Sequence, residues 1–248
     1  MLKKQKKDHS LADKLTRLPK IGYLFEMLFA IATLPKIRKR LNALEEHLLF
    51  ETTQKQKEML DAFYLNFENR FRGTKERIKQ RQSYYLPIVE KVVQDRSETL
   101  LDIGCGRGEW LELLQEHGYR AKGIDINETM AKKAQENGLD VTATDAINYL
   151  QSLKDETISI ITGFHIVEHL PLTLLLTLFY ESLRVLKPGG AIIFETPDPE
   201  NLLVGSCSFY TDPTHIKPIP SVTLEFLATN SGFTQVEIHR LHKLKEPL

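Results

Sequence analysis

From residue 100 onward, short apolar runs alternate with longer stretches whose apolar positions recur every three or four residues. The short runs fall at 100–103, 119–124, 141–144, 158–163 and 191–195 and predict strands. Between them, the spacing predicts helices over 109–117, 128–137 and 172–186. Lys187, Pro188, Gly189 and Gly190 stop the last of these, as a basic final turn followed by Pro and Gly does. Strictly alternating strand and helix predicts an α/β fold, a doubly wound, Rossmann-like parallel sheet with helices on both faces. Residues 233–241 read as a sixth strand.

The first seventy residues carry no strand pattern and predict an all-helical arm, 1–72, ahead of a catalytic domain at 73–248. Residues 21–34 are apolar except for Gly22, Glu26 and Thr33, with Lys and Arg on both sides. Fourteen residues are too few to span a bilayer. Two placements suit this segment: a helix lying in a membrane interface with its basic flanks on anionic headgroups, or one packed on protein. Pro35 is expected to end it. Ile37, Leu41, Leu44 and Leu48 then repeat as in a coiled-coil seam, 37–48, which predicts a short homo-oligomeric contact. A further apolar stripe, Leu60, Phe63, Phe67 and Phe71, leads into the catalytic domain.

Charge sharpens this division. Of 33 Lys and Arg, eleven lie in residues 1–40 against only three of 33 Asp and Glu, so a basic arm precedes an acidic body. The basic residues flank an apolar segment instead of forming a groove with interleaved aromatics, which argues against nucleic acid as a partner. With two cysteines, Cys105 and Cys207, and no signal-peptide pattern, a reducing, cytoplasmic setting is expected, peripheral at the inner membrane face if the arm binds lipid.

The chemistry concentrates at strand ends. Leu101, Asp102 and Ile103 run into Gly104, Cys105, Gly106, Arg107, Gly108 and Glu109, a strand, tight turn and helix start in which glycine permits positive φ and close approach of a ligand. Asp125 ends the second strand, where a carboxylate can accept from both ribose hydroxyls. A dinucleotide fold requires a third glycine where this chain has Glu109, a carboxylate that would repel pyrophosphate. Gly104, Asp125, Asp145, Phe164, His165 and Thr196 all fall at the carboxyl ends of the predicted strands, the rim where parallel sheets bind ligands.

Asp102 followed by Gly104, Gly106 and Gly108 resembles motif I of the class I S-adenosylmethionine (SAM) methyltransferases. Gly123-Ile124-Asp125, Asp145-Ala146, the run His165 to Leu170 and the run Leu183 to Gly190 extend that resemblance. Glu195 to Leu202 and Phe209 to His215 narrow it to bacterial methyltransferases associated with lipopolysaccharide and other surface-glycan synthesis. The resemblance implies SAM as cofactor, with Asp102, Gly104, Cys105 and Gly106 around its amino-acid end, Asp125 and Ile126 at the ribose, Asp145 and Ala146 at the adenine, and Phe164 or His165 bordering the sulfonium. It implies a sugar hydroxyl or phosphate of a glycan or glycolipid precursor as acceptor, with Asp198, Glu200, Asn201 and Tyr210 as binding residues. Members of the family finish their sheet with a sixth strand and an antiparallel seventh. No seventh follows residue 241, so the final strand is expected to be missing, through truncation or because a partner chain completes the sheet.

For a hydroxyl acceptor, His165, His169 and His215 are the candidate bases. His165, Glu168 and His169 also spell an inverted zinc-peptidase motif, which on a helix would set both histidines on one face. Its place directly after a buried strand, with Pro171 following, argues against that, and no metal is expected. A catalytically silent, membrane-associated adaptor retaining the fold is the other alternative.

Overall fold

The computed structural model describes the backbone of residues 19–241 and the side chains of 34–241 other than Leu49. Two compact units divide at residue 60, Met1–Leu60 and Asp61–Leu248. Helix α1, Pro19–Phe71, contributes to both. Proline loses one helical hydrogen bond, but Pro35 does not end this helix. In the first unit, Leu34, Ile37, Leu41, Leu44 and Leu48 are each more than half exposed. The side chains of 21–33, and with them the expected membrane-interface face, lie outside the described residues. Among the described residues, no helix is long and apolar enough to cross a membrane.

The catalytic unit therefore begins at Asp61 and not at residue 73. The last turns of α1 bury Leu65 and Glu68, and the Asp61 carboxylate accepts from the N–H of Glu128 at 3.1 Å. These contacts belong to the sheet domain. Two short helices, α2 (Lys75–Gln82) and α3 (Leu86–Val92), lead to strand β1, Thr99–Ile103.

The sheet then builds as expected from the alternation. Strands β1, β2 (Arg120–Asp125), β3 (Val141–Ala143), β4 (Ile158–Phe164) and β5 (Leu186–Glu195) are parallel in the order β3-β2-β1-β4-β5. Helices α4 (Glu109–Glu116), α5 (Glu128–Glu136), α6 (Ala146–Ser152) and α7 (Leu172–Val185) make the crossovers. Leu101, Ile103, Ile161 and Phe179 pack in the largest core cluster, while Trp110, Leu100 and Ile160 lie in a second. The strand order reverses at β1, with Asp102 opposite Gly123 on one side and Thr162 on the other. A ligand crevice opens at such a reversal, outside the strand carboxyl ends.

The expected sixth strand is absent among the described residues. After α8 (Leu202–Ser206) and α9 (Ser221–Ser231), residues 233–241 run as irregular chain. Phe233 and Val236 pack on the main core and Leu241 on the second. Arg240 is held by Asp198 (Nε to Oδ2, 3.3 Å) and by Glu200, and Tyr84 hydroxyl is 2.9 Å from Nδ1 of His239. These side-chain anchors fix the segment in place of a strand ladder, so residues 191–195 of β5 stay half-buried while β4 is wholly buried.

Candidate active site

Gly104 (φ +67°), Gly106 (+53°) and Gly108 (+86°) all adopt the left-handed conformation that glycine alone takes without strain. A Cβ at Gly104 would overlap Cδ1 of Ile166, so the turn must be bare for the β4 loop to close on it. Gly106 and Asn127 donate their N–H groups to the two oxygens of Asp125, each at 2.8 Å. This ties the turn after β1 to the tip of β2. Thr162 donates to Asp102 at 2.6 Å across the reversal point.

Asp102 and Asp125 are both buried and sit in a cluster of acids. Burial pushes the Asp102 carboxyl up to about 7, offset in part by the Thr162 hydroxyl and Arg72, while Asp125 and Glu109 add to the rise. Burial pushes Asp125 up to about 6, against its backbone hydrogen bonds, with Glu68 adding to the rise. Arg72 and Glu68, paired at 2.6 Å, close over Gly106 from the end of α1. A second oxygen of Glu68 is buried without a hydrogen-bond partner. A cationic ligand relieves such a cluster of desolvated carboxylates. SAM carries an ammonium and a sulfonium and no phosphate, so these residues fit it. Arg72 stands beside the turn at Gly106, and Ile126, expected at the ribose, is 67% exposed beyond Asp125.

The other expected cofactor residues also have structural partners. Cys105 is buried beneath Gly123, its thiol pushed up by burial, and only its backbone borders the turn. Asp145 caps α6, accepting from Asn148 N–H at 2.9 Å, with Ala146 as the first helical residue. Phe164 is buried. As the last residue of a strand covered on both faces, it packs between Tyr85 and Trp110, with ring centroids at 5.2 and 5.5 Å.

His165 stands at the rim instead. It has a left-handed φ of +61°, unusual for a residue with a Cβ, and its side chain is 42% exposed. Its Nδ1 lies 3.2 Å from Oε1 of Glu168 and its Nε2 3.7 Å from Oε1 of Glu195. Burial lowers the His165 pKa, but the hydrogen bond and charge of Glu168, with Glu195, outweigh it and hold the imidazole above its ordinary value. Glu168 is fully buried and stays below the usual carboxylate range because His165 outweighs its desolvation. Thr196 donates to its other oxygen at 2.9 Å.

The peptidase pattern is not formed. Val167–His169 is a single 3-10 turn and His165 precedes it in the left-handed region, so His165 and His169 share no helix face. His169 instead meets His215, with ring centroids 4.7 Å apart. Burial lowers the His169 pKa. Neither ring is placed as directly as His165 to take a proton at the rim.

A cleft of about 1900 Å3 runs from Tyr64, Phe67 and Arg72 past His165 and Thr196 to the open flank of β5. Three of the four expected acceptor residues, Asp198, Glu200 and Asn201, line this cleft while also serving local structure. Asp198 and Glu200 hold Arg240, and Asn201 caps α8 by accepting from Leu203 N–H at 3.0 Å. Tyr210, 62% exposed, is not among the residues that line the cleft. Glu68, Glu195 and the Glu168–Thr196 pair were not foreseen.

A methyltransferase-domain family model matches residues 77–238. A SAM-dependent methyltransferase from Archaeoglobus fulgidus is 39% identical, with a TM-score of 0.61 over 68% of this chain and 74% of that one. A Haemonchus contortus phosphoethanolamine N-methyltransferase in complex with S-adenosyl-L-methionine shares the fold at 21% identity and TM-score 0.50, over 68% of this chain and 44% of that one. A ubiquinone biosynthesis O-methyltransferase from Hydrogenovibrio crunogenus is 32% identical over 117 residues, 45% of this chain and 47% of the relative. The chain thus spans about half the length of the curated relatives it matches. These likenesses favour an enzyme over a silent adaptor. With SAM as its cofactor, the chain belongs to the methyltransferase-domain family and is a class I SAM-dependent methyltransferase.

Proposed function

We propose that this enzyme methylates a hydroxyl oxygen, with His165 as the general base and a glycan or glycolipid precursor as the acceptor. The observation that carries the reading is the His165 ring, half-exposed at the rim and braced by Glu168 and Glu195. SAM when bound supplies an electrophilic methyl group on sulfonium. Asp102, Asp125 and Arg72 hold its charged groups, and the turn at Gly104 and Gly106 admits it. His165 accepts the acceptor's proton, and Glu168 orients the ring and stabilises the imidazolium that forms. A phosphate or carboxylate acceptor has no proton to remove, so a braced base favours a hydroxyl. The ubiquinone biosynthesis relatives are O-methyltransferases, which supports the same class.

One observation favours a second acceptor, a phenol: Tyr64, Phe67 and Phe71 line the same cleft as the base and suit an aromatic ring. Methyl transfer from labelled SAM to a panel of sugars and of catechol-type phenols separates the two. Transfer to sugar hydroxyls, lost in His165→Ala, is the expected result. Transfer to phenols alone favours the second reading, and transfer that survives His165→Ala removes the base.

We also propose that residues 34–48 join two copies of the chain. Leu34, Leu41 and Leu48 occupy one heptad position and Ile37 and Leu44 the other. In a parallel, in-register pair, Arg40 of each helix falls opposite Glu45 of its partner copy, at the flanking positions that set orientation.

A further inference from the structure

His169 and His215 are the two ring systems that the proton-transfer reading leaves without a task. Together with Glu168 they place one ligand atom each within 4.8 Å of the others. His215 Nδ1 is 2.6 Å from the carbonyl oxygen of Phe209, which can only accept, so Nδ1 carries a proton and, in the neutral ring, Nε2 presents a lone pair. That Nε2 lies 3.8 Å from Oε1 of Glu168 and 3.8 Å from Oδ2 of Asp212. His169 repeats the arrangement. Its Nδ1 is 3.3 Å from the carbonyl oxygen and 3.1 Å from the hydroxyl of Thr214, and its Nε2 is buried with no hydrogen-bond partner. Two imidazole Nε2 atoms, one of them buried without a partner, thus converge on a fully buried carboxylate whose donors, His165 and Thr196, lie outside the cluster, and a cation joining the three satisfies the orphaned nitrogen.

We propose that Glu168, His169 and His215 bind a divalent transition-metal cation, with Zn2+ as the best match to two imidazoles and a carboxylate. Atoms sharing Zn2+ at about 2.1 Å stand roughly 3.4 Å apart in a tetrahedral site, so the three side chains close by about 1 Å to reach it. The outer partners that hold metal ligands in place are already built: a backbone carbonyl behind each imidazole, and the Thr196 hydroxyl, 2.9 Å from the far oxygen of Glu168. Three protein ligands leave a position open on the cleft side. An acceptor hydroxyl bound there becomes more acidic, and the carboxylate that braces His165 also holds the ion. This role rests on the methyl-transfer reading; the site itself does not.

The full-length chain, stripped of metal, is titrated with Zn2+ by calorimetry and with Co2+ by visible absorption. One cation per chain is expected. His169→Ala and His215→Ala weaken binding by more than about 100-fold, beyond the roughly 10–100-fold that loss of an outer partner costs. His117→Ala, at an exposed site on the far end of α4, leaves it unchanged. SAM titration of each variant reports whether the fold survives; where a histidine variant unfolds, the near-isosteric Glu168→Gln replaces it. A folded wild type that binds neither ion, or binds both equally well after His169→Ala and His215→Ala, overturns the site. Metal binding without methyl transfer leaves the site standing and sinks the acceptor reading; methyl transfer unaffected by stripping, with no binding, does the reverse.

Discussion

His165 Nδ1 lies 3.2 Å from Oε1 of Glu168, a carboxylate with no solvent-accessible surface. An imidazole so held is fixed in orientation, and its other nitrogen faces the cleft. His165→Ala is expected to lower the rate of methyl transfer by about 100- to 10,000-fold, the usual contribution of a positioned base. Glu168→Gln should lower it as well. Neither should alter the KM for SAM in steady-state assays, since neither residue holds the cofactor.

The Asp102 carboxyl gives the chain a pH-dependent stability. Burial keeps it protonated up to about 7, against 3.8 for the free group. The folded chain therefore binds more protons than the unfolded one between those values, and stability falls as pH rises through that window. Asp102→Asn keeps an acceptor for Thr162 and removes the buried charge. It should stabilise the SAM-free protein at pH 8 by up to about 4 kcal/mol, at roughly 1.36 kcal/mol per pH unit, with the gain vanishing near pH 4. Urea unfolding at the two pH values measures it.

SAM affinity should follow the same groups in the opposite sense. The cofactor's cations favour the ionised forms of Asp102 and Asp125, so binding releases protons. The dissociation constant should rise as pH falls from 8 to 5.5, through the values of about 7 and about 6 set by burial. Calorimetry in buffers of different ionisation enthalpy counts the protons released.

Gly104→Ala meets two obstacles, a left-handed φ and the side chain of Ile166. A loss of about 1–3 kcal/mol in thermal or urea unfolding is expected from the backbone conformation alone. Adding Ile166→Ala should recover the steric part and leave the conformational part.

The self-association proposed for residues 34–48 predicts a dimer that Leu41→Glu with Leu44→Glu reduces to a monomer in sedimentation velocity, with SAM binding intact. A monomeric wild type at micromolar concentration would sink it.

Most of the sheet was legible because its signals are local. Each strand is a short apolar run, and α4 and α5 begin and end within one residue of the periodicity. The glycine turn and Asp125 are likewise set within about twenty residues of each other. What escaped reading depends on long-range partners. Residues 233–241 resemble a strand through Val236 and Ile238, but Arg240 is drawn to Asp198 and Glu200, some forty residues earlier, and the segment never pairs with β5. The meeting of His169 with His215 spans forty-six positions and follows from topology alone. Phe164 looked like a rim residue because it ends a strand, yet the aromatic rings of α3's approach and α4 enclose it. Pro35 misled because a single proline is absorbed when strong helix formers such as Lys36, Arg38 and Leu41 follow it.

Calorimetric titration of the purified chain with SAM, for wild type and Asp125→Ala, reaches the cofactor site directly. One site per chain, lost or weakened by more than about 100-fold in a folded Asp125→Ala protein, is the predicted result, equivalent to at least roughly 2.7 kcal/mol of binding free energy. A folded wild type that takes up no SAM, or an Asp125→Ala variant that binds it as tightly, would contradict it.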